Sequence, residues 1–376
     1  MRVGPSISIF GTVFVAALAG PGLPSPADAT TWVVPDSVAT VSVALGLAAA
    51  GDTVLVQPGT YPEAIVLVDG VTVRSASPHG AVLDGSGAGC VVTATACGPG
   101  TVVEGFIIRN GTTAGLGGGL CATLSTLTVR NCRFENNEAQ HGGGIGGDAS
   151  GFSIEDCEFH DNTATQTGGG ISVTGTSSPV IQGCTFESNS GVAGGAIAVR
   201  NGATPAVSLC LLDDNDADQG GAIWYDLFTG GTVTGCTLVN NDAASLGGGF
   251  FFNTLATPVV SDCIVSFSVS GEGAYAVAGS VPVFGCCLVF GNAGGDALAG
   301  VTDLGTNLFT DPQFCDPGQQ IYTLQDSSPA LPGGSCGLIG AFGAGGCGAT
   351  GAGAGVVTTS WGRVKALYSA GYSANP

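Results

Sequence analysis

The acidic residues Asp213, Asp214 and Asp216 fall in one short stretch, with Asp218 close behind them. Glycosidases use carboxyl groups in pairs, roughly 5 to 9.5 Å apart. A polysaccharide lyase would instead combine an acid cluster that binds calcium with an arginine base. No complete catalytic motif surrounds these acids, so we favour the simpler interpretation, a solvated turn, and keep Asp213, Asp214 and Asp216 as the alternative catalytic site.

Aromatic residues in the same part of the chain could bind sugars. Trp224 and Tyr225 are adjacent, and Phe251 and Phe252 follow at a similar place later in the chain. If the rings were exposed, they could form a strip on which sugar rings stack. Residues of this type more often belong to a core. Trp224 and Tyr225 are therefore candidate ligand-binding residues, with core packing as the competing interpretation.

Metal and cofactor chemistry has little support in the sequence. The chain has 14 cysteines and three histidines, but it has no CxxC motif. We expect no cofactor and no metal site, with calcium relevant only to the lyase alternative. Cys90 with Cys97, and Cys336 with Cys347, flank short glycine-rich loops and are candidate disulfide pairs.

A regular repeat dominates the middle of the chain. Seven cysteines recur at intervals of 24 to 27 residues, and an asparagine usually follows each one five positions later. One unit of this length buries too little surface to fold alone, so the repeats must stack into a solenoid. The cysteines of this ladder are Cys132, Cys157, Cys184, Cys210, Cys236, Cys263 and Cys287, and its asparagines are Asn137, Asn162, Asn189, Asn215 and Asn241, continued by Asn292.

The content of one repeat predicts strands and not helices. Between Ser153 and Thr174, apolar residues alternate in short runs that are broken by Gly, Asn, Asp and Thr. This pattern predicts an all-β fold, a single-stranded right-handed parallel β-helix of about eleven coils. The ladder thiols would be free and would fill the interior. The ladder asparagines would stack their amides at turns, with left-handed backbone conformation. Cys286–Cys287 shifts the phase by one residue and predicts a bulge.

The ends of the chain differ from the repeats. Residues 1–29 resemble a signal peptide, with a charged start, a short apolar run and an A-x-A site. Residues 30–90 are expected to form an N-terminal cap and the first coils, including a short helix with Val41, Ala44, Leu45 and Ala48 on one face. The β-helix is expected over 91–342. A Gly/Ala linker follows at 343–355, and 356–376 is a candidate sorting or attachment tail.

The charge balance limits the possible partners. The formal net charge is −20, so nucleic acid and anionic lipid are not expected to bind. The sequence predicts no transmembrane span and a monomer. The signal peptide predicts a protein that is secreted or held at the outer cell surface.

Several motifs resemble a known group of proteins. Phe134-Glu135-Asn136-Asn137 and Gly194-Gly195-Ala196-Ile197 resemble the FxxN and GGA[ILV] repeats of chlamydial polymorphic outer-membrane proteins. The segment from Gly51 to Glu63 resembles the start of secreted bacterial right-handed β-helix proteins of the pectin-lyase-like superfamily. The resemblance implies a fold more than an activity. The C-terminal β-barrel of autotransporter-type relatives has no counterpart here, so self-insertion into an outer membrane is not implied.

The function that follows is a secreted or surface-attached rod with a structural or adhesive role, which could bind an extracellular polysaccharide or another cell-surface component. The resemblance also keeps open a polysaccharide lyase or glycoside hydrolase, since pectin-lyase-like folds include such enzymes. A binding rod predicts an exposed face without convergent acids. An enzyme predicts a groove with two or three carboxylates and an arginine within reach of one sugar.

Overall fold

A computed structural model describes residues 29–333, 335–345 and 347. The predicted signal peptide, apart from residue 29, and the predicted tail at 356–376 lie outside these residues. Most of the predicted linker at 343–355 also lies outside them. Within the described residues, no helix has the length and the apolar character needed to cross a membrane.

Short strands separated by tight turns stack into four parallel sheets, which form the sides of a solenoid. Each middle coil visits the sheets in the order A, B, C and D, and the first and last coils lack the strand of sheet C. Sheet A contains Thr31–Val34, Thr53–Val56, Thr72–Ser75, Val102–Glu104, Thr128–Arg130, Ser153–Glu155, Val180–Gln182, Ala206–Ser208, Thr232–Thr234, Val259–Ser261, Val283–Gly285 and Thr302–Asp303. Sheet B contains Gly59–Tyr61, Ala81–Asp84, Phe106–Arg109, Arg133–Glu135, Glu158–His160, Thr185–Glu187, Leu211–Asp213, Thr237–Val239, Ile264–Ser266 and Leu288–Phe290.

Sheet C is the shortest of the four and covers only the middle coils. Its strands are Thr112–Leu116, Glu138–His141, Thr163–Thr167, Ser190–Ala193, Asp216–Gln219 and Asp242–Leu246. Sheet D contains Ile65–Val66, Val92–Thr95, Leu120–Thr123, Ile145–Asp148, Ile171–Thr174, Ile197–Val199, Ile223–Tyr225, Phe250–Phe252, Ala274–Ala276 and Leu298–Ala299. Sheets B and D each have ten strands, which gives about ten turns and a stack roughly 45 Å long at the usual strand spacing.

The interior is filled by alternate side chains of every strand. Phe134, Phe159 and Phe186 stack along the axis, with ring centroids 5.1 and 4.6 Å apart. The seven ladder cysteines are buried beside them, and none forms a disulfide. Alternation therefore places one apolar residue above another in successive coils, and this repeated burial is the main stabilisation of the fold.

The asparagine ladder also lies inside, where it satisfies backbone groups at the turn between sheets B and C. Asn162 Nδ2 donates to Asn189 Oδ1 at 3.0 Å and to the Phe134 carbonyl at 2.9 Å, and its neighbours repeat the pattern. The expected left-handed conformation belongs to the preceding residue, for example Asn136 and Asp161. That residue turns the corner, so the ladder amide can point inward.

The predicted bulge at Cys286–Cys287 is absent. Leu288 pairs with Ile264, so Cys287 lies in register with Cys263, and the residue that precedes each of them has a positive φ. The one-residue shift was predicted because Val283 was aligned with Val260. In the sheet, however, Val283 pairs with Val259. Cys286 occupies the turn position, and its side chain points away from the core.

A short helix, α1, covers the N-terminal end at Val41–Leu47. The side chain of Thr40 caps it by accepting a hydrogen bond from the Val43 amide at 3.2 Å. Val41, Ala44 and Leu45 are buried against the first coils, as the apolar face predicts. The helix thereby shields strand edges and core that a solenoid would otherwise expose.

The C-terminal part does not continue the stack. The sequence predicts coils as far as residue 342, but the last parallel strand is Thr302–Asp303. Residues 312–333 and 335–345, here called the strap, fold back on the outside of sheet B. The strap contains the antiparallel strands Phe314–Asp316 and Ile321–Leu324, with a 3₁₀ helix at Pro317–Gln319 between them. This return explains why there are about ten coils instead of eleven.

The disulfides differ from the predicted pairs. Cys90 bonds to Cys121 on the next coil, and Cys97 is free and buried. Cys336 bonds to the turn residue Cys286, and Cys347 bonds to Cys315. Proximity along the chain was the wrong criterion, because stacking brings residues one coil apart closer than residues across a loop. Cys286–Cys336 joins the strap to the solenoid, and Cys315–Cys347 joins the strap to Cys347, just beyond its end.

Candidate functional site

The outer face of sheet B collects most of the charged groups around which a function could be built. Its side chains come from two positions in each repeat, one and three residues after the ladder cysteine. The first row is Arg133, Glu158, Thr185, Leu211, Thr237, Ile264 and Leu288, and the second is Glu135, His160, Glu187, Asp213, Val239, Ser266 and Phe290. Both rows are polar at first and become largely apolar from Leu211 onward.

In the N-terminal coils, opposite charges alternate from one coil to the next. Arg109 Nε lies 2.9 Å from Asp84 Oδ2, and Arg109 Nη1 lies 3.7 Å from Glu135 Oε1. Arg133 contacts Glu158 at 2.6 Å. Since every partner is one coil away, in-register stacking produces these ion pairs without any contribution from loops.

His160 lies between two carboxylates, that of Glu158 on its own strand and that of Glu187 at the same row position of the next coil. Its Nε2 is 3.5 Å from Glu158 Oε2, and its Nδ1 is 3.2 Å from Glu187 Oε2. Burial alone would lower the pKa of His160, but hydrogen bonds to Glu158 and Glu187 outweigh it and raise the pKa to about 9. The hydrogen bond from His160, helped by Arg133, lowers the pKa of Glu158 to about 2. At neutral pH this cluster is a fixed network of charges.

Glu158 therefore has more partners than its outward position suggests. The alternation places it on the surface, where loss of a side chain usually changes stability little. Its carboxylate, however, accepts hydrogen bonds from Arg133 and contacts His160, and the side chain is only 19% exposed. A substitution there removes the partner of two cations.

Asp213 is buried and does not belong to a solvated turn, so the favoured interpretation is wrong at this residue. It is 2% exposed, and its carboxylate accepts hydrogen bonds from Tyr322 Oη and Asn240 Nδ2, both at 2.8 Å. Asn240 also donates to Tyr322 Oη at 2.9 Å. Burial raises the pKa of Asp213 to about 6, against these hydrogen bonds, and the nearby Glu187 raises it further. Asp213 thus fastens the strap to the solenoid.

The other predicted acids point elsewhere. Asp214 is exposed at the corner between sheets B and C, where it accepts a hydrogen bond from Ser188. Asp216 belongs to sheet C and stacks on Asp242, and burial together with that neighbouring charge raises its pKa. The three candidate catalytic carboxylates therefore lie on sheet B, at a corner and on sheet C, and they do not converge. In the described part of the chain, no three His, Cys, Asp or Glu side chains are grouped to hold a metal ion.

The predicted aromatic strip is divided between the inside and the outside of sheet D. Tyr225 and Phe252 are in the interior and fully buried, so they cannot bind a ligand on the surface. Trp224 and Phe251 face outward but are only 9% and 3% exposed, because they pack in a cluster that includes Tyr275. Phe251 and Tyr275 are nearly parallel, with ring centroids 5.9 Å apart. Their faces cover one another, so they do not form an open strip for sugars.

Sequence reasoning missed Glu158, His160 and Glu187 as functional candidates, although a signal for them exists. Each occurs at a fixed offset from a ladder cysteine, so superposing the repeats would place them in neighbouring rows. The same superposition would show that the rows become apolar after Leu211 and therefore need a cover. No repeat pattern could identify Tyr322 as part of that cover, because the strap lies outside the repeat.

Comparisons with known proteins agree with this architecture. The family model described as "Right handed beta helix region" matches residues 56–226 and 126–300. Among curated protein sequences, none matches the chain significantly.

Several solved structures have a similar course of the chain at low sequence identity. Pectate lyase Pel9A is 12% identical, with a TM-score of 0.46 over 84% of this chain and 96% of that chain. Pectin methylesterase from carrot is 11% identical, with a TM-score of 0.36 over 78% of this chain and 91% of that one. A GH87 alpha-1,3-glucanase from Streptomyces thermodiastaticus is 15% identical, with a TM-score of 0.31 over 79% and 69%. At TM-scores below 0.5, none of these likenesses indicates what the chain binds or catalyses.

Proposed function

We propose a function on the premise that the chain belongs to the right-handed β-helix family, whose model matches well over half of it. The protein is a non-catalytic rod, exported and held at or near the cell surface, that binds an extracellular polysaccharide. The binding surface is the charged half of the outer face of sheet B, from Arg109 to Glu187, where the strap contacts Glu187 through Gln320. Both the polysaccharide ligand and the export are inferences of ours.

The observation that carries this proposal is the state of the acids on that face. Asp84 and Glu135 pair with Arg109, Glu158 pairs with Arg133, and Glu187 contacts His160. Hydrolysis of a glycosidic bond needs one carboxyl that can give up a proton and one free carboxylate. Carboxylates already bound to cations are poorly suited to either role. They are well suited to accept and relay hydrogen bonds from sugar hydroxyl groups.

The geometry of the face also suits a polymer. Chemically similar groups recur once per coil, at a spacing of about 4.8 Å along the axis. An extended glycan advances by a similar distance per sugar, so successive sugars could meet successive coils. The side chains are held by ion pairs and packing, and a rigid surface loses little conformational entropy on binding.

Two arginines three residues apart provide a matched test. Arg133 on sheet B pairs with Glu158, and Arg130 on sheet A pairs with Glu104; their side chains are 36% and 44% exposed. We expect the wild-type protein to cosediment with at least one of cellulose, chitin and peptidoglycan sacculi. Arg133→Gln should weaken that binding about tenfold, and Arg130→Gln should leave it unchanged. Failure of the wild type to bind any of the three, or equal losses in both variants, would contradict the proposal.

Attachment to the cell surface is a separate part of the proposal. Residues 356–376 contain Trp361, Val364, Leu367 and Tyr368 beside the cations Arg363 and Lys365. Such a composition suits docking to a membrane surface or to an export partner. Deleting residues 350–376 should leave the melting temperature unchanged and should release the protein from the cells that produce it. A lower melting temperature would instead indicate that this segment stabilises the fold.

A polysaccharide lyase or hydrolase is the second candidate, and one observation favours it. Asp213 has a pKa raised to about 6 and lies in register with Glu187 on the adjacent coil, whose pKa is lowered, so a carboxyl that takes up a proton readily is next to one that stays ionised. Against it, Tyr322 covers Asp213, which leaves only 2% of the residue exposed. Release of reducing ends or unsaturated products by the wild type, abolished in Asp213→Asn, would establish this candidate over the binding rod.

A further inference from the structure

The chain contains two Asn-Gly pairs, Asn110-Gly111 and Asn201-Gly202. Asparagine is among the thermolabile residues. Its side-chain carbonyl carbon can be attacked by the backbone nitrogen of the next residue, and glycine hinders this attack least because it has no Cβ. Both asparagines have a left-handed backbone conformation, with φ values of 56° and 49°. The two pairs therefore share a sequence and an asparagine conformation, and their surroundings distinguish them.

Asn201 and Gly202 form the tip of a tight turn between sheets D and A. The Ala203 amide donates to the Arg200 carbonyl at 3.1 Å, and φ is 49° at Asn201 and 86° at Gly202. Positive φ at both central residues is the mark of a type I′ turn, for which Asn-Gly is a preferred pair. Both residues are exposed. The sequence of the pair thus explains the turn, and the turn leaves its tip in solvent.

The atoms that would react at this turn are accessible. The Gly202 N–H donates no hydrogen bond within the described part of the chain. A side chain at Gly202 would have room, since its Cβ would approach the Gly175 carbonyl oxygen no closer than 3.9 Å. Asn201 Nδ2 donates to Thr174 Oγ1 at 2.9 Å, and this hydrogen bond is exposed to water. Neither the attacking nitrogen nor the side-chain amide is fixed by burial.

The Asn110-Gly111 pair is held by hydrogen bonds instead. The Gly111 amide donates to Asn137 Oδ1 at 3.0 Å, and Asn110 Nδ2 donates to both carboxylate oxygens of Asp84, at 3.1 and 3.0 Å. Gly111 is buried, and a Cβ there would overlap the carbonyl group of Gly118. A buried, hydrogen-bonded amide reacts only after the fold opens locally, which costs free energy. The fold therefore protects this pair.

We propose that Asn201 is a site of spontaneous deamidation, which converts it to aspartate or isoaspartate. The Gly202 nitrogen forms a bond to Asn201 Cγ, the Cγ–Nδ2 bond breaks, and ammonia leaves with the proton of the Gly202 amide. Water then opens the cyclic imide. Cleavage between Cγ and the Gly202 nitrogen gives aspartate, whereas cleavage between the main-chain carbonyl carbon of Asn201 and that nitrogen gives isoaspartate.

The modification changes the charge and the backbone of this corner of the solenoid. It adds one negative charge, and because a carboxylate has no donor, the Thr174 hydroxyl must donate where it now accepts. In the isoaspartate form the main chain runs through Cγ and gains one methylene group within the turn. The next backbone link, from the Thr204 amide to the Ser177 carbonyl at 2.9 Å, keeps the following strand in register. We therefore expect the change to stay at the corner. The inference does not depend on the proposed binding of a polysaccharide.

The experiment incubates the full, folded chain in mildly alkaline buffer, because deprotonation of the Gly202 amide favours the attack. An isoaspartate methyltransferase measures isoaspartate, and mass spectrometry of peptides identifies the modified residue. We expect Asn201 to react roughly tenfold faster than Asn110, or more, since only Asn110 needs local opening. Asn201→Gln should abolish the product at this position, because the attack would have to close a larger ring. The matched control Asn110→Gln should leave the reaction of Asn201 unchanged.

Unfolding in urea supplies the reference, since no fold protects either pair there and the two asparagines should react at similar rates. Equal rates at the two sites in the folded chain would overturn the proposal, as would undiminished isoaspartate formation in Asn201→Gln. An Asn201 that reacts in urea but stays intact in the folded chain would also overturn it, because the turn would then be protected. Cosedimentation with polysaccharides tests the proposed function separately, so the failure of one leaves the other standing.

Discussion

The two halves of the outer face of sheet B differ, although they have the same backbone. In the coils up to Glu187 the outward positions carry alternating charges that pair from coil to coil. From Leu211 onward most of the same positions are apolar, and the strap buries them together with its own Phe314, Tyr322 and Leu324. Identical geometry therefore supports a hydrated surface in one half and a second core in the other.

The comparison shows that the backbone sets where each outward side chain lies, whereas the type of side chain determines whether that position is hydrated or buried by the strap. Asp213 lies at the boundary between the halves, where Tyr322 of the strap covers its carboxyl group. The pKa of Asp213 is raised because this cover buries the carboxyl. The strap reaches the adjacent charged coil through a polar side chain, Gln320, whose Nε2 donates to Glu187 Oε1 at 3.2 Å.

The largest expected effect concerns the interior, which is common to both halves. Phe159 lies beneath the charged half and Phe284 lies in the coils that carry the strap, and both are fully buried. Truncating either to alanine should lower the free energy of unfolding by about 3–5 kcal/mol, since each leaves a large cavity. Urea unfolding followed by circular dichroism measures this. If only one of the two were strongly destabilised, the interior would not be equivalent in the two halves.

The second prediction tests the outer faces directly. Ile264 is 1% exposed under the strap, and Thr185 occupies the equivalent row position three coils earlier, where it is partly exposed. Ile264→Ala should cost about 2–4 kcal/mol, because it removes part of the second core. Thr185→Ala should cost less than about 1 kcal/mol. Equal shifts of the urea midpoint would mean that the strap contributes little to stability.

Much of this organisation can be predicted from the sequence, because it repeats. The spacing of the ladder cysteines predicts the parallel stack, the inward thiols and Phe159, and the family match and sheet topology agree with the fold class. The helix at Val41–Leu47 is predicted from its apolar face alone. These features depend on local period and on burial, which every repeat encodes again.

The features that could not be predicted are those that occur once. The strap contacts residues about 100 positions earlier in the chain, as Tyr322 does with Asp213, and no period relates the two. The true partners of Cys90 and Cys336 follow from stacking and from the return of the strap, and not from short loops. The environment of Asp213 was misjudged for the same reason, since its cover comes from outside the repeat.

The third prediction concerns Asp213, at the boundary between the two halves, and the pH dependence that it gives to the free energy of unfolding. The usual pKa of an aspartate, 3.8, is raised to about 6 in folded Asp213, so the folded state retains a proton that the unfolded state releases. Stability should therefore fall as the pH rises from about 4 through 6 and then level off. In Asp213→Asn this fall should be smaller by on the order of 2 kcal/mol. Urea unfolding at pH 4, 6 and 8 measures it.

The control for the boundary is the adjacent Asp214→Asn, at an exposed residue of the same charge. It should keep the pH dependence of the wild type. If Asp213→Asn retained the full fall in stability between pH 4 and 6, the carboxyl would not be buried under Tyr322 as the structure describes.

The smallest expected effect concerns the charged half. The pKa of His160 is raised from 6.5 to about 9 by Glu158 and Glu187, against burial, so its contribution to stability is complete below pH 6.5 and is lost as the pH rises through 9. Because the cluster is partly hydrated, we expect His160→Gln to cost only about 1 kcal/mol at pH 6 and almost nothing at pH 9.5. His141→Gln is the control, since burial and the charge of Arg200 lower the pKa of His141, so its cost should not fall as the pH rises from 6 to 9.5. A cost of His160→Gln that is the same at both pH values would show that the side chain acts by packing and not by charge, and the charged half would then differ from the covered half only in exposure.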